Sequence, residues 1–144
     1  MPHFRFTLQR VLEVAGLRAD LAQQELARAQ RTLELRRQEL AVARERVEQI
    51  GRLLARRRQG KLSIEEILGY ERFLERLQGF REQVEALVVQ AEEQVEEARL
   101  RAVELMQRRK SLDGLRERQL EHHLAEVRRA EQKELDEMAS RRMG

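Results

Sequence analysis

The chain has 144 residues, 38% charged and 41% hydrophobic, with a formal net charge of +3 and a pI near 9.9. Aromatics make up only 3%, proline occurs once, and cysteine and tryptophan are absent. No disulfide framework, zinc ribbon or iron–sulfur site can be built from it, and a chain so rich in Leu, Ala, Glu, Arg and Gln favours long helices over a compact layered core.

From Leu8 a row of fourteen positions, thirteen of them apolar, advances by alternating steps of four and three without a slip. They run Leu8, Leu12, Ala15, Ala19, Ala22, Leu26, Ala29, Leu33, Arg36, Leu40, Ala43, Val47, Ile50 and Leu54. A mean period of 3.5 is a heptad seam, and it predicts a supercoiled helix over about 7–58. Thr7 is placed to cap its start, with Phe6 and Val11 as a hydrophobic staple. One set of seam positions is mostly Leu and the other mostly Ala. Helices can therefore approach closely, but the Ala layers bury little area.

Residues 59–63 carry turn signals. Arg56, Arg57 and Arg58 suit the negative end of a helix dipole. Gly60 is positioned to take the left-handed conformation after the helix end. Ser63 and Glu66 form a capping box, with Leu62 and Ile67 as its staple.

A second seam begins at Ile67 and continues through Tyr70, Leu74, Leu77, Arg81, Val84, Val88, Ala91, Val95, Ala98, Ala102, Leu105, Arg109 and Leu112. It predicts a helix over about 64–140. Beyond Leu112 the stripe shifts at Asp113-Gly114 and weakens through Leu115, Leu120, Leu124, Val127, Leu135 and Met138. So short a turn makes the two arms antiparallel neighbours. At 1.5 Å per residue they would measure roughly 75 Å and 115 Å. Counting back from the turn sets Leu54 near Leu68 and Leu12 near Lys110. The segment after about residue 118 then overhangs without a partner in the chain. The expected fold is all-α: one domain, a long antiparallel two-helix coiled-coil hairpin whose second helix overhangs at its C-terminal end. The arms carry opposite charge, +5 over 8–58 and −3 over 64–110, which favours this orientation.

Chemistry is sparse. Ser63, Ser111 and Ser140 lie in no nucleophile-elbow pattern, and the single glycines form no phosphate loop. His122 and Glu126 are four apart, a spacing that can hold a metal. No second ligand pair accompanies them, so they read as polar residues of the overhang. The expectation is no catalytic residue, no metal, no cofactor and no enzyme activity. Basic clusters stand at Arg52–Lys61 and Arg108–Lys110, but acids interleaved along the chain hold the net charge to +3 and no aromatic stacking platform accompanies them, which argues against nucleic acid. The longest uncharged stretch, Ala86–Ala91, is too short to span a bilayer, and the first ten residues lack the apolar region of a signal peptide. Intracellular residence, without membrane insertion, is the default expectation.

Three stretches resemble the FliJ family, small coiled-coil proteins of the bacterial flagellar type III export apparatus. They are Phe4-x-Phe6-x-Leu8-Gln9-x-Val11-Leu12 at the start and Tyr70-x-x-Phe73-Leu74-x-x-Leu77 after the turn. The third is Glu131-Gln132-Lys133-Glu134-Leu135-Asp136-Glu137-Met138-Ala139, preceded by Leu112-x-x-Leu115. The resemblance implies a stalk-like hairpin, monomeric when free. It would engage the hexameric export ATPase and the cytoplasmic domain of the export gate, and escort export chaperones. It would be cytoplasmic, peripheral at the inner face of the cell membrane. It places Arg128, Arg129, Lys133, Asp136 and Glu137 at the ATPase ring. Its gate-binding face falls on Phe73 and Leu77, and spacing continues that face to Phe80 and Val84. The alternatives are a stalk of a virulence-type secretion system, or a generic coiled-coil scaffold or nucleic-acid-binding protein.

Overall fold

The computed structural model describes residues 3–60 and 63–143. The described residues form two helices, α1 (Gln9–Arg58) and α2 (Ile64–Met143), paired as a hairpin. Among the described residues, all the buried apolar ones except Phe6 lie on one of the two seams. The heptad pattern therefore specifies the contact face almost residue by residue.

The helix ends follow the local chemistry with two departures. The first helical hydrogen bond runs from Leu12 N–H to the Leu8 carbonyl, so Leu8, not Thr7, holds the capping position. Gln9 N–H closes a preceding turn on the Phe6 carbonyl. At the far end of α1, Gln59 and Gly60 donate to the carbonyls of Arg56 and Arg57 at 3.3 and 3.1 Å. The last turn thus tightens into three-residue bonds. No described glycine has positive φ, so Gly60 does not supply the expected left-handed cap. Ser63 caps α2 as expected: its hydroxyl accepts from Glu66 N–H at 3.2 Å and its carbonyl accepts from Ile67 N–H. The expected staple residue Leu62, with Lys61 of the turn, lies outside the described residues.

The chain divides into two compact units, residues 23–101 and residues 1–22 with 102–144. Each helix contributes to both. In the first unit the core is a cluster of Leu33, Leu40, Val84, Val88 and Ala91, with Val95 packed against it. Arg44–Glu85 and Arg58–Glu71 cross between the helices, each with its base on α1 and its acid on α2. That matches the opposite charge of the arms. Leu54 shares a groove with Leu74, Glu75 and Gln78. The expected neighbour, Leu68, is shifted nearly two turns toward the start of α2, because α1 ends opposite Glu71. Arg81, a charged seam residue, is half-buried and leans toward Glu85 at 3.6 Å. It runs its aliphatic stem over the seam, as amphipathic side chains do.

In the second unit the small seam residues Ala15, Ala19, Ala22 and Ala102 are buried. Arg109 crosses Gly16 to reach Asp20 at 3.4 Å. Arg10–Arg18 shares a groove with Arg108–Leu112, which agrees with Leu12 lying near Lys110.

Gly51 and Gly79 lie inside the helices with nothing within 4 Å of an added Cβ. Each Gly→Ala change should stabilise the fold by about 0.5–1 kcal/mol through helix propensity. Thermal unfolding followed by circular dichroism checks this, and the double variant should show nearly the sum.

Candidate functional site

Three surfaces stand out, and two of them carry residues that sequence marks. The first is the C-terminal part of α2. Every residue from Arg128 to Met143 is exposed, including Arg128, Arg129, Lys133, Asp136 and Glu137. The Asp136 carboxylate accepts from Gln132 at 3.1 Å, one turn earlier on the same face. Leu135 and Met138 stand among these charges, both about 60% exposed. An apolar strip flanked by mixed charge is what remains when a helix runs on past its last intramolecular neighbour.

That free stretch starts later than the seam alone suggests. The segment before α1 lies along α2 as a strap. The Phe4 ring stacks at a tilt on His123, 5.6 Å between centroids, and the Arg116 guanidinium sits 5.9 Å from the same ring. Gln9 Oε1 accepts from Arg116 Nε at 3.2 Å. His3, Phe4 and Arg5 share a groove with Arg118, Gln119, His122, His123 and Glu126. The expected overhang from about residue 118 is thus partly covered. Phe6 is 7% exposed, whereas its expected staple partner Val11 is 51% exposed. No periodicity marks such an irregular strap; the two phenylalanines close together before the helix are the available signal.

The second surface lies near the start of α2. Phe73 and Phe80 are exposed at 41% and 52%, one heptad apart beside the seam. Leu77 between them is half-buried. Arg76 sits 5.8 Å from the Phe73 ring centroid. Arg57, Glu66, Tyr70, Phe73 and Arg76 line a shallow groove there. Val84 departs from the expected face. At 2% exposure it belongs to the interhelical core with Leu33 and Leu40, so it does not present a side chain to a partner alongside Phe80. The i+4, i+3 spacing that continues a face also returns it to the seam.

The third surface was not marked by sequence. A trough of about 780 Å³ lies between α1 and α2 in the second unit, lined by Arg10, Val11, Val14, Ala15, Arg18, Arg108, Ser111 and Leu112. Its signal was present but dispersed: Val11 and Val14 lie off the seam, and the arginines come from two distant stretches.

Among the described residues no three His, Cys, Asp or Glu side chains come together as metal ligands. His122 Nε2 instead meets Glu126 Oε1 at 3.1 Å. The Glu96 carboxyl is held below its ordinary range by the hydrogen bond from Arg99, whose own value is raised by the same contact. Both groups are fully exposed, and i,i+3 pairing on a solvated helix face accounts for them. Among the described residues, no helix is long and apolar enough to cross a membrane.

The family model described as flagellar FliJ protein matches residues 4–144. Among curated protein sequences none matches significantly. The fold is similar to that of CT670 from Chlamydia trachomatis, a protein proposed to be a YscO homologue. The TM-score is 0.69 at 20% identity, covering 96% of this chain and 94% of the other.

Proposed function

This chain belongs to the FliJ family, and on that premise we propose that it is a non-enzymatic stalk and adaptor of the bacterial flagellar export apparatus. In this reading it is cytoplasmic, reaching the inner face of the membrane through the export machinery. The exposed end of α2, residues 128–143, enters the export ATPase ring, with Arg128, Arg129, Lys133, Asp136 and Glu137 as its polar contacts. The observation that carries this is the run of exposed residues beyond the strap, where Leu135 and Met138 sit between charges of both signs. Apolar strips on a slender helical protein are interaction surfaces when polar residues rim them. Phe73, Leu77 and Phe80 form the face toward the export gate, and the same adaptor escorts export chaperones. Val84 supports that face from the core beneath it.

The test is to add the purified chain to the cognate export ATPase and follow hydrolysis and ring assembly. Both should rise on stoichiometric addition, with the two proteins co-eluting. No change in either, together with no co-elution, overturns the reading. The likeness to CT670 supports the shared fold. Gene neighbourhood separates a flagellar apparatus from a virulence-type one.

A further inference from the structure

We propose that the trough between Arg10–Arg18 of α1 and Arg108–Leu112 of α2 binds a short acidic amphipathic helix of a protein partner. The floor is apolar and open to water: Val11 and Val14 are about half exposed, and Leu112 borders them. The rim is basic. Arg10, Arg18 and Arg108 line the trough, and none of them takes an ion-pair partner among the described residues. Two of the nearby acids are already engaged, and the other two, Glu104 and Asp113, make no ion pair with these arginines. Asp20 holds Arg109 at 3.4 Å, and Glu13 accepts from Gln9 at 3.4 Å.

Apolar floor and unpaired guanidinium rim together define the occupant. Arg10 and Arg18 are eight residues apart, about 12 Å along α1. A partner helix laid in the trough brings carboxylates two turns apart to that same separation. Its leucine or isoleucine residues at i, i+3 and i+4 cover the valines, the helix-in-groove mode of recognition. Arginine suits this role because its planar fork binds a carboxylate in two places. Nucleic acid would leave the apolar floor uncovered, and the trough offers no aromatic ring for base stacking. The proposal stands apart from the export reading, because it concerns residues that reading does not use.

The experiment uses the full chain and a fluorescein-labelled helical peptide of about 18 residues, long enough for five turns. The peptide carries Leu at i, i+4 and i+7 with Glu on both flanks, and binding is followed by fluorescence anisotropy. Saturable binding is expected, with little binding by a peptide of the same composition whose apolar stripe is scrambled. Arg18→Glu combined with Arg108→Glu should weaken binding about tenfold or more, as reversal of an interface charge does. Val14→Gln should also weaken it, and Arg37→Glu, outside the trough, should leave it unchanged. Melting curves of all variants check that the fold is kept. Equal binding of the scrambled peptide, or an equal loss in Arg37→Glu, overturns the proposal as unspecific charge attraction. Phosphatidylglycerol vesicles provide the last arm. Loss of vesicle binding in the trough variants, with no peptide binding by the parent chain, assigns the site to a membrane surface instead.

Discussion

Val84→Asp should strongly destabilise the central hairpin. Val84 is 2% exposed in a core of Leu33, Leu40, Val88 and Ala91, and the seam cations Arg81 and Arg36 are already turned to Glu85 and Glu39. An unpaired charge in such a place costs about 3–5 kcal/mol. That is a large share of the total stability of a small protein. The melting midpoint should fall by about 6–20 °C for a chain of this size, and helical signal at 25 °C should drop. Phe80→Ala sets the contrast. Phe80 is half exposed, so its loss should change stability by no more than about 0.5 kcal/mol, yet it should abolish binding to the export gate's cytoplasmic domain. Calorimetric titration of that domain, run beside the melting curves, separates the two. If Val84→Asp melts like the parent chain, the core assignment is wrong. If Phe80→Ala binds like the parent chain, the proposed gate face is wrong.

The same pair of residues shows how far sequence reaches. Heptad spacing fixed which side of each helix is covered, because burying an apolar stripe is the dominant favourable step and the stripe's period is its signature. Ala15, Ala19 and Ala102 were legible on that ground although they are small. The pairing between helices was harder. Any seam residue can face any layer of the other helix, and the choice near the turn depends on residues 59–63. There α1 closes with tight three-residue bonds rather than a left-handed glycine, and Leu54 comes to share a groove with Leu74 rather than approach Leu68. The strap was invisible for a related reason. Residues 3–6 form no regular element and Thr7-Leu8 lie in a turn, so Phe4 finds His123 and Arg116 through tertiary contact alone. Val84 failed in the opposite direction. Spacing continues the Phe73–Leu77 face onto it, but its place on the seam takes it into the core.

Where the strap ends decides the most informative truncation. Ending the chain at Val127 should abolish stimulation of the export ATPase, reducing hydrolysis to the level of the ATPase alone, with the melting curve of the remaining chain nearly unchanged. Residues 128–143 are exposed throughout, so little intramolecular burial is lost with them. Cutting after residue 117 should behave differently. That deletion also removes His123, the platform for Phe4, and Arg118, Gln119, His122 and Glu126, which line the strap's groove. The strap would then lose its seat, and amide exchange over residues 3–8 should rise to that of an open chain, as expected for backbone with few remaining contacts. A shorter perturbation, Arg128→Glu with Arg129→Glu, keeps the helix and reverses only charge. It should lower the affinity for the ATPase about tenfold and make the residual binding less sensitive to salt. If the chain ending at Val127 stimulates the ATPase as well as the full chain does, the exposed end is not what the ring holds. If the charge reversal alone leaves binding intact, Leu135 and Met138 carry the contact, and their replacement by Gln should remove it.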